Sequence, residues 1–157
     1  MLTFIEDTKQ KIDKHKRKHK YWQEHGIKVI RCCLPYGDYV NAPRVSVDTK
    51  QDIAEIGNNM CGSAKEKHRF AEECKLAQES GCKLIFLIED SHYKDIDDLY
   101  GKTIRLHNGM DIPGDQLATA MHTMSGRYGC LFMFCCPKDT ALTVIDLLEA
   151  YDGRYRR

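Results

Sequence analysis

The run Lys83-Leu84-Ile85-Phe86-Leu87-Ile88-Glu89 restricts the fold of this chain more than any other segment. Its apolar side chains follow one another without polar alternation, and the run is too short for a buried helix. It therefore reads as a central strand covered on both faces. A sheet covered on both faces needs helices above and below it. Cys130-Leu131-Phe132-Met133-Phe134-Cys135 is a second buried strand of this kind.

The rest of the chain supplies the remaining layers. Leu2 to Ile5 reads as a first strand. Lys11 to His25 reads as a helix closed by Gly26 at its C′ position. Ile27 to Cys33 forms a second strand, turned by Pro35-Tyr36-Gly37, and Arg44 to Thr49 a third. Helical patterns cover Asp52 to Asn58 and Ala64 to Glu79, the latter with Phe70, Cys74 and Ala77 on one stripe and Gly81 after it. A polar loop through Asp95-Ile96-Asp97-Asp98 and Gly109 leads to a helix starting near Pro113, and Lys138 to Tyr151 closes the chain as a helix. The pattern predicts an α/β sandwich around a mixed sheet, read as one domain without repeats or linkers.

Composition narrows the function classes. A chain of 157 residues buries about 70% of its unfolded surface and forms a real core. Lys and Arg number 24 against 23 Asp and Glu, so net charge says nothing about partners. No apolar stretch is long enough to span a bilayer, and the first residues are too short and too acidic for a signal peptide, so a cytoplasmic, soluble protein with no membrane partner is expected. The eight cysteines include no C-x-x-C spacing and fall in or beside apolar runs, which predicts buried reduced thiols rather than a zinc site. There is no Gly-rich phosphate loop, G-x-S-x-G elbow or H-E-x-x-H, so nucleotide-cofactor, esterase and zinc-protease chemistry lack support.

Carboxylates at strand ends carry the chemistry. Asp48 and Lys50 stand two apart on a strand and so share a face, while Val45, Val47 and Thr49 share the other. Asp38 follows Gly37 at a turn, Asp7 ends the first strand and Glu89 the fourth. A carboxylate beside an ammonium, with further carboxylates converging beyond the strand ends, suits phosphodiester hydrolysis with a hard divalent cation.

Three stretches in order, Glu6-Asp7-Thr8-Lys9-Gln10, Leu34-Pro35-Tyr36-Gly37-Asp38-Tyr39 and Val47-Asp48-Thr49-Lys50-Gln51-Asp52-Ile53, resemble the nuclease domain of the XPF family. The similarity continues through His68-Arg69-Phe70-Ala71-Glu72-Glu73-Cys74, Leu87-Ile88-Glu89-Asp90 and Tyr128-Gly129, and it is nearest in flavour to the small stand-alone form found in phages and prophages. The resemblance implies a restriction-endonuclease-like α/β sandwich of the PD-(D/E)xK type, spanning residues 1–157 as a single domain with no helix-hairpin-helix module. It implies an endonuclease for branched, flap or fork DNA in repair or recombination, in the bacterial host cytoplasm if phage-encoded. Asp7, Asp38 and Asp48, with the Thr49 carbonyl, become ligands of one or two Mg²⁺ or Mn²⁺ ions, and Lys50 the catalytic lysine, acting as base or as electrostatic clamp. Arg69 and Glu89 are supporting candidates. Three positions depart from the family pattern: Asp48 and Thr49 replace the glutamate and the arginine of E-R-K, and Ala54 replaces an aspartate four residues after the lysine.

Without a second DNA-gripping module, affinity is expected from the run Lys9 to Lys20, which holds seven Lys/Arg against one Asp. Lys14, Lys16, Arg17, Lys18 and Lys20 are the DNA-binding candidates, with Ile12 and Trp22 anchoring the other side of their helix. A homodimer or partner subunit is the other expected source. Two other classes compete: a catalytically inactive DNA-binding or dimerisation partner of a nuclease, and an unrelated α/β protein with a fortuitous D-x-K. The last helix, with Leu142, Ile145, Leu147 and Leu148, is read as core packing over a dimer face.

Overall fold

The computed structural model describes residues 2–41 and 44–150. Its main sheet has six strands: β1 (Thr3–Asp7), β2 (Lys28–Cys32), β3 (Tyr39–Asn41), β4 (Val45–Lys50), β5 (Lys83–Ile88) and, last in the chain, a strand over Leu131–Phe134. Between β5 and that strand lies a separate antiparallel hairpin, β6 (Thr103–Arg105) and β7 (Asp111–Pro113), so the last strand is β8. The spatial order is β2-β1-β3-β4-β5-β8. β3 runs antiparallel to β1 and β4, and every other pairing is parallel. The sheet is therefore mixed. β1, β2, β4, β5 and β8 all end at one edge, where ligands of α/β folds gather.

Helices cover both faces. On one side lie α2 (Ile53–Cys61), α3 (Ala64–Glu79) and α4 (Gly114–Tyr128), packed through Phe70, Cys74 and Leu117 onto Leu84, Phe86, Ile88 and Phe132. On the other lie α1 (Lys16–Glu24) and α5 (Thr140–Ala150), packed through Trp22, Val144 and Leu148 onto Phe4, Val47, Ile85 and Leu87. Successive β5 residues thus alternate between two cores, as the unbroken apolar run requires. Each fully buried side chain of this size contributes about 1.5–3 kcal/mol. The α5 residues Ile145, Leu147 and Leu148 are buried, so this helix is core, with Leu142 exposed.

Several elements differ from expectation. The basic helix begins only at Lys16, after a 3-10 turn over Ile12–Lys14. Four cations crowd its first residues against the positive end of the helix dipole, and His15 gives no side-chain cap. Ile12 is 50% exposed and anchors nothing, whereas Trp22 is wholly buried and donates to the Ala141 carbonyl at 3.1 Å. The helix ends as expected, with Gly26 at φ 67°. The polar loop after β5 holds the β6–β7 hairpin and a 3-10 turn over Ile96–Leu99. β8 is an edge strand with only Phe132 buried. Among the cysteines, all free, Cys74, Cys82 and Cys130 are buried as expected, but Cys32 and Cys33 on the opposite edge are exposed. Tyr151, the expected end of the last helix, lies outside the described residues. Among the described residues, no helix is long and apolar enough to cross a membrane.

Candidate active site

At the strand-end edge, a cleft of about 530 Å³ opens between the sheet and α3. Asp7, Asp38, Asp48, Lys50, Arg69 and Glu73 all line it. The pleat of β4 delivers Asp48 and Lys50 to this face, as their two-residue spacing predicts. Lys50 Nζ lies 2.8 Å from Asp48 Oδ1, and 5.6 Å from the centroid of the Phe86 ring. Phe86 is the register partner of Asp48 and stacks on Phe70 of α3 at 4.6 Å, so the floor of the site is aromatic. Asp48 Oδ1 is buried beside this ammonium and accepts no other hydrogen bond among the described residues.

Asp38 is placed by the turn before β3. Its N–H donates to the Val47 carbonyl and its C=O accepts from the Asp7 N–H, both at 2.8 Å, which ties the turn between β1 and β4. Oδ2 accepts from the Thr49 amide and hydroxyl at 2.8 and 2.7 Å, and Oδ1 from Gln10 Nε2 at 2.7 Å. Gly37 is obligatory in front of it: its φ is +67°, and a Cβ there would stand 2.0 Å from Ser46 Oγ. Asp7 Oδ1 accepts from the amides of Lys9 and Leu34, each at 3.3 Å.

Glu73 is the site residue that sequence reasoning missed. It projects from α3, and its Oε1 accepts from the Gly37 N–H at 2.9 Å, which clamps the helix to the Gly-Asp turn. The signal was the spacing of Glu66, Arg69 and Glu73 along the flank beside the buried stripe Phe70, Cys74 and Ala77. Burial, then the charge of Asp48, pushes the Glu73 carboxyl up to about 7 against the opposing Gly37 hydrogen bond. Burial and Asp48 likewise push Asp38 up to about 7, opposed by the two Thr49 donors. Burial works against the charge of Lys50, yet Asp48, with help from Glu73 and Glu55, holds its ammonium above the ordinary lysine range. The cleft therefore carries an excess of negative charge that only partial protonation relieves.

Its donors suit a hard divalent cation: they are all oxygen, and Asp48 Oδ1 accepts nothing beyond the Lys50 ammonium among the described residues. Asp7, Asp38 and Asp48 come to one cleft, but among the described residues no three His, Cys, Asp or Glu side chains are preassembled to hold an ion. The Thr49 and Gln10 donors keep the Asp38 carboxylate turned onto themselves.

The other predicted residues separate. Arg69 lines the cleft, exposed and paired with Glu66 at 2.8 Å. Glu89 does not line it: the pleat sends its side chain to the opposite face, where Oε1 accepts from Thr140 Oγ1 at 2.6 Å and lies 3.8 Å from Lys18 Nζ. Lys14, Lys16, Arg17 and Lys20 are exposed, but α1 lies on the face of the sheet away from the cleft. Lys18 is not a surface cation at all, being 8% exposed, with its Nζ 5.5 Å from the centroid of the Tyr39 ring.

Comparison with known proteins bears on the family and the fold. The model of the ERCC4 domain matches residues 7–147. Two solved structures of XPF from Aeropyrum pernix share the fold with TM-scores of 0.68. The one in complex with DNA is 18% identical over 96% of this chain and 64% of its own, and the other is 20% identical over 97% and 66%. The chain thus spans about two thirds of the length of the structures it matches. No curated protein sequence matches it. With the matched region starting at Asp7 and enclosing the whole cleft, the chain belongs to the ERCC4 domain family.

Proposed function

We propose that this protein is a divalent-metal-dependent endonuclease that hydrolyses phosphodiester bonds of DNA, with a preference for flap, fork or otherwise branched structures. The observation that carries this reading is the buried Asp48–Lys50 pair, 2.8 Å apart, facing Asp38 and Glu73 across a cleft open to a polymer. Membership of the ERCC4 domain family, and the DNA complex of a protein that shares the fold, support DNA as the substrate.

Asp7, Asp38 and Asp48 would hold Mg²⁺ or Mn²⁺, with Glu73 as an additional acid. The ion, when bound, supplies Lewis-acid charge to the phosphoryl oxygens. Lys50 acts as a fixed positive charge rather than a base: Asp48 keeps its ammonium protonated, so it donates to phosphoryl oxygen as negative charge builds there. Gly37 and Thr49 orient the acids, the first by donating to Glu73 and the second by donating to Asp38. The aromatic floor of Phe86 and Phe70 keeps water from beneath Lys50.

One observation favours a second reading, a non-catalytic DNA-binding partner: both Asp38 oxygens are occupied by donors from the chain itself. Labelled flap, fork and duplex DNA in Mg²⁺, Mn²⁺ and EDTA separates the two. The nuclease reading expects cleavage in a metal and none in EDTA, and binding without cleavage in either metal favours the second.

A further inference from the structure

The cleft is not acidic along its whole length. α3 lines it with one flank, Glu66, Arg69, Glu73, Leu76 and Glu79, at helical spacing. That flank covers about 20 Å at about 1.5 Å per residue, with Glu73 near its middle. Toward Glu66 the lining is polar, through Asn59 and Arg69. Toward Glu79 it turns apolar: Leu34, Pro35 and Tyr36 line it from the turn before Gly37, and Leu76 from the helix. The charges on the helix at that end, Lys75 and Glu79, pair with each other at 3.9 Å.

Tyr36 gives this end a fixed shape. It is half-buried, it packs against the core under α3, and its hydroxyl end lies beside Ser80 and Cys82 where α3 stops. Its carbonyl accepts from the Ser46 hydroxyl at 3.4 Å. The ring is thus held from both sides, by the Gly37 turn and by the end of the helix. Pro35 is exposed and Leu76 is 41% exposed. A lone exposed leucine needs no explanation, but this one shares a cleft with a fixed aromatic ring.

The apolar end is tied to the acids. The Leu34 amide donates to Asp7 Oδ1 at 3.3 Å. Tyr36 stands two residues before Asp38, so at most about 7 Å of backbone separates them. Leu76 follows Glu73 by three residues, which puts it on the same flank about 4.5 Å farther along the axis. A nucleotide whose phosphate reaches the acids therefore has its base within reach of Tyr36 and Leu76. Bases inside a duplex have both faces covered by their neighbours, and only an unstacked base offers a face to the ring.

We propose that this end of the cleft is a nucleobase subsite, in which the Tyr36 ring stacks on an unpaired base next to the scissile phosphate while Pro35 and Leu76 close around it. The choice of DNA rests on the nuclease reading above, and the subsite supplies that reading with a source of preference for branched over fully paired strands. Tyr36 takes no part in hydrolysis and acts on specificity.

Flap DNA carrying 2-aminopurine or an abasic nucleotide at successive positions on either side of the junction would be given to the wild type and Tyr36→Leu, with duplex DNA as control. Anisotropy and 2-aminopurine emission in EDTA report affinity and stacking, and single-turnover cleavage in Mg²⁺ reports the rate. The wild type should quench 2-aminopurine at one position, and Tyr36→Leu should not. Removing either the base at that position or the ring should cost about tenfold in affinity and rate on the flap, and removing both should cost no more than one. Duplex DNA should respond to neither change. A variant that merely loosened the fold would lose on duplex and abasic flap alike, and the abasic series on the wild type needs no variant to fold. Absence of quenching, with unchanged affinity and rate on every abasic flap, would overturn the subsite and leave a cleaving wild type as a nuclease. Base-dependent binding and quenching without cleavage in Mg²⁺ or Mn²⁺ would do the reverse.

Discussion

Lys50 Nζ and Asp48 Oδ1 stand 2.8 Å apart with about one tenth of either side chain exposed. Removing one member leaves a buried charge without its partner, which costs about 3–5 kcal/mol in typical proteins. Glu73 and Asp38 compensate part of that for Lys50 but nothing compensates Asp48. Lys50→Met should therefore destabilise the metal-free protein more than Asp48→Asn. The double variant should recover most of the loss, since an uncharged pair carries no desolvation penalty. Urea denaturation of the four proteins measures the coupling.

Raised carboxyls make the metal-free fold sensitive to base. Asp38 and Glu73 are held at about 7 in the folded state, against ordinary values of 3.8 and 4.5. Between those limits the folded chain retains protons that the unfolded chain has released, so stability in EDTA falls as pH rises from about 4 to about 7 and levels above it. Glu73→Gln should flatten that slope relative to the wild type. Denaturant midpoints at pH 5 and pH 8, with and without Mg²⁺, provide the check.

Gly37→Ala should destabilise by about 1–2 kcal/mol from its left-handed φ alone, and by more from the clash with Ser46 Oγ. Adding Ser46→Ala should restore the clash component and not the backbone component. Thermal unfolding of the single and double variants separates the two.

Thiol reactivity should divide in the same way as burial. Cys32 and Cys33, on the exposed edge at β2, should react with a thiol reagent at once, whereas Cys74, Cys82 and Cys130 should wait for unfolding. Stopped-flow labelling with peptide mapping tests this.

Legibility in the sequence followed the range of the forces involved. β5 and α3 were readable because an unbroken apolar run and an apolar stripe at helical spacing are local signals. β3 was not, since three residues between a turn and the next strand carry no period. Asp48 and Lys50 were readable together because the pleat alone fixes their common face. Glu73 reaches the site only through the packing of α3 on Phe86, and Glu89 leaves it because it falls one residue out of phase with Phe86 and Ile88. Lys18 sits in a run that reads as a solvated basic face, and only tertiary packing against Tyr39 buries it.

The most direct test of the account is the single-turnover rate of flap cleavage by the wild type, Asp48→Asn and Lys50→Met in Mg²⁺, Mn²⁺ and EDTA, each variant confirmed folded. The account predicts metal-dependent cleavage by the wild type, none in EDTA, and a fall of about 10²–10³-fold in each variant. Cleavage that persists in EDTA, or runs at the wild-type rate in both variants, would contradict it.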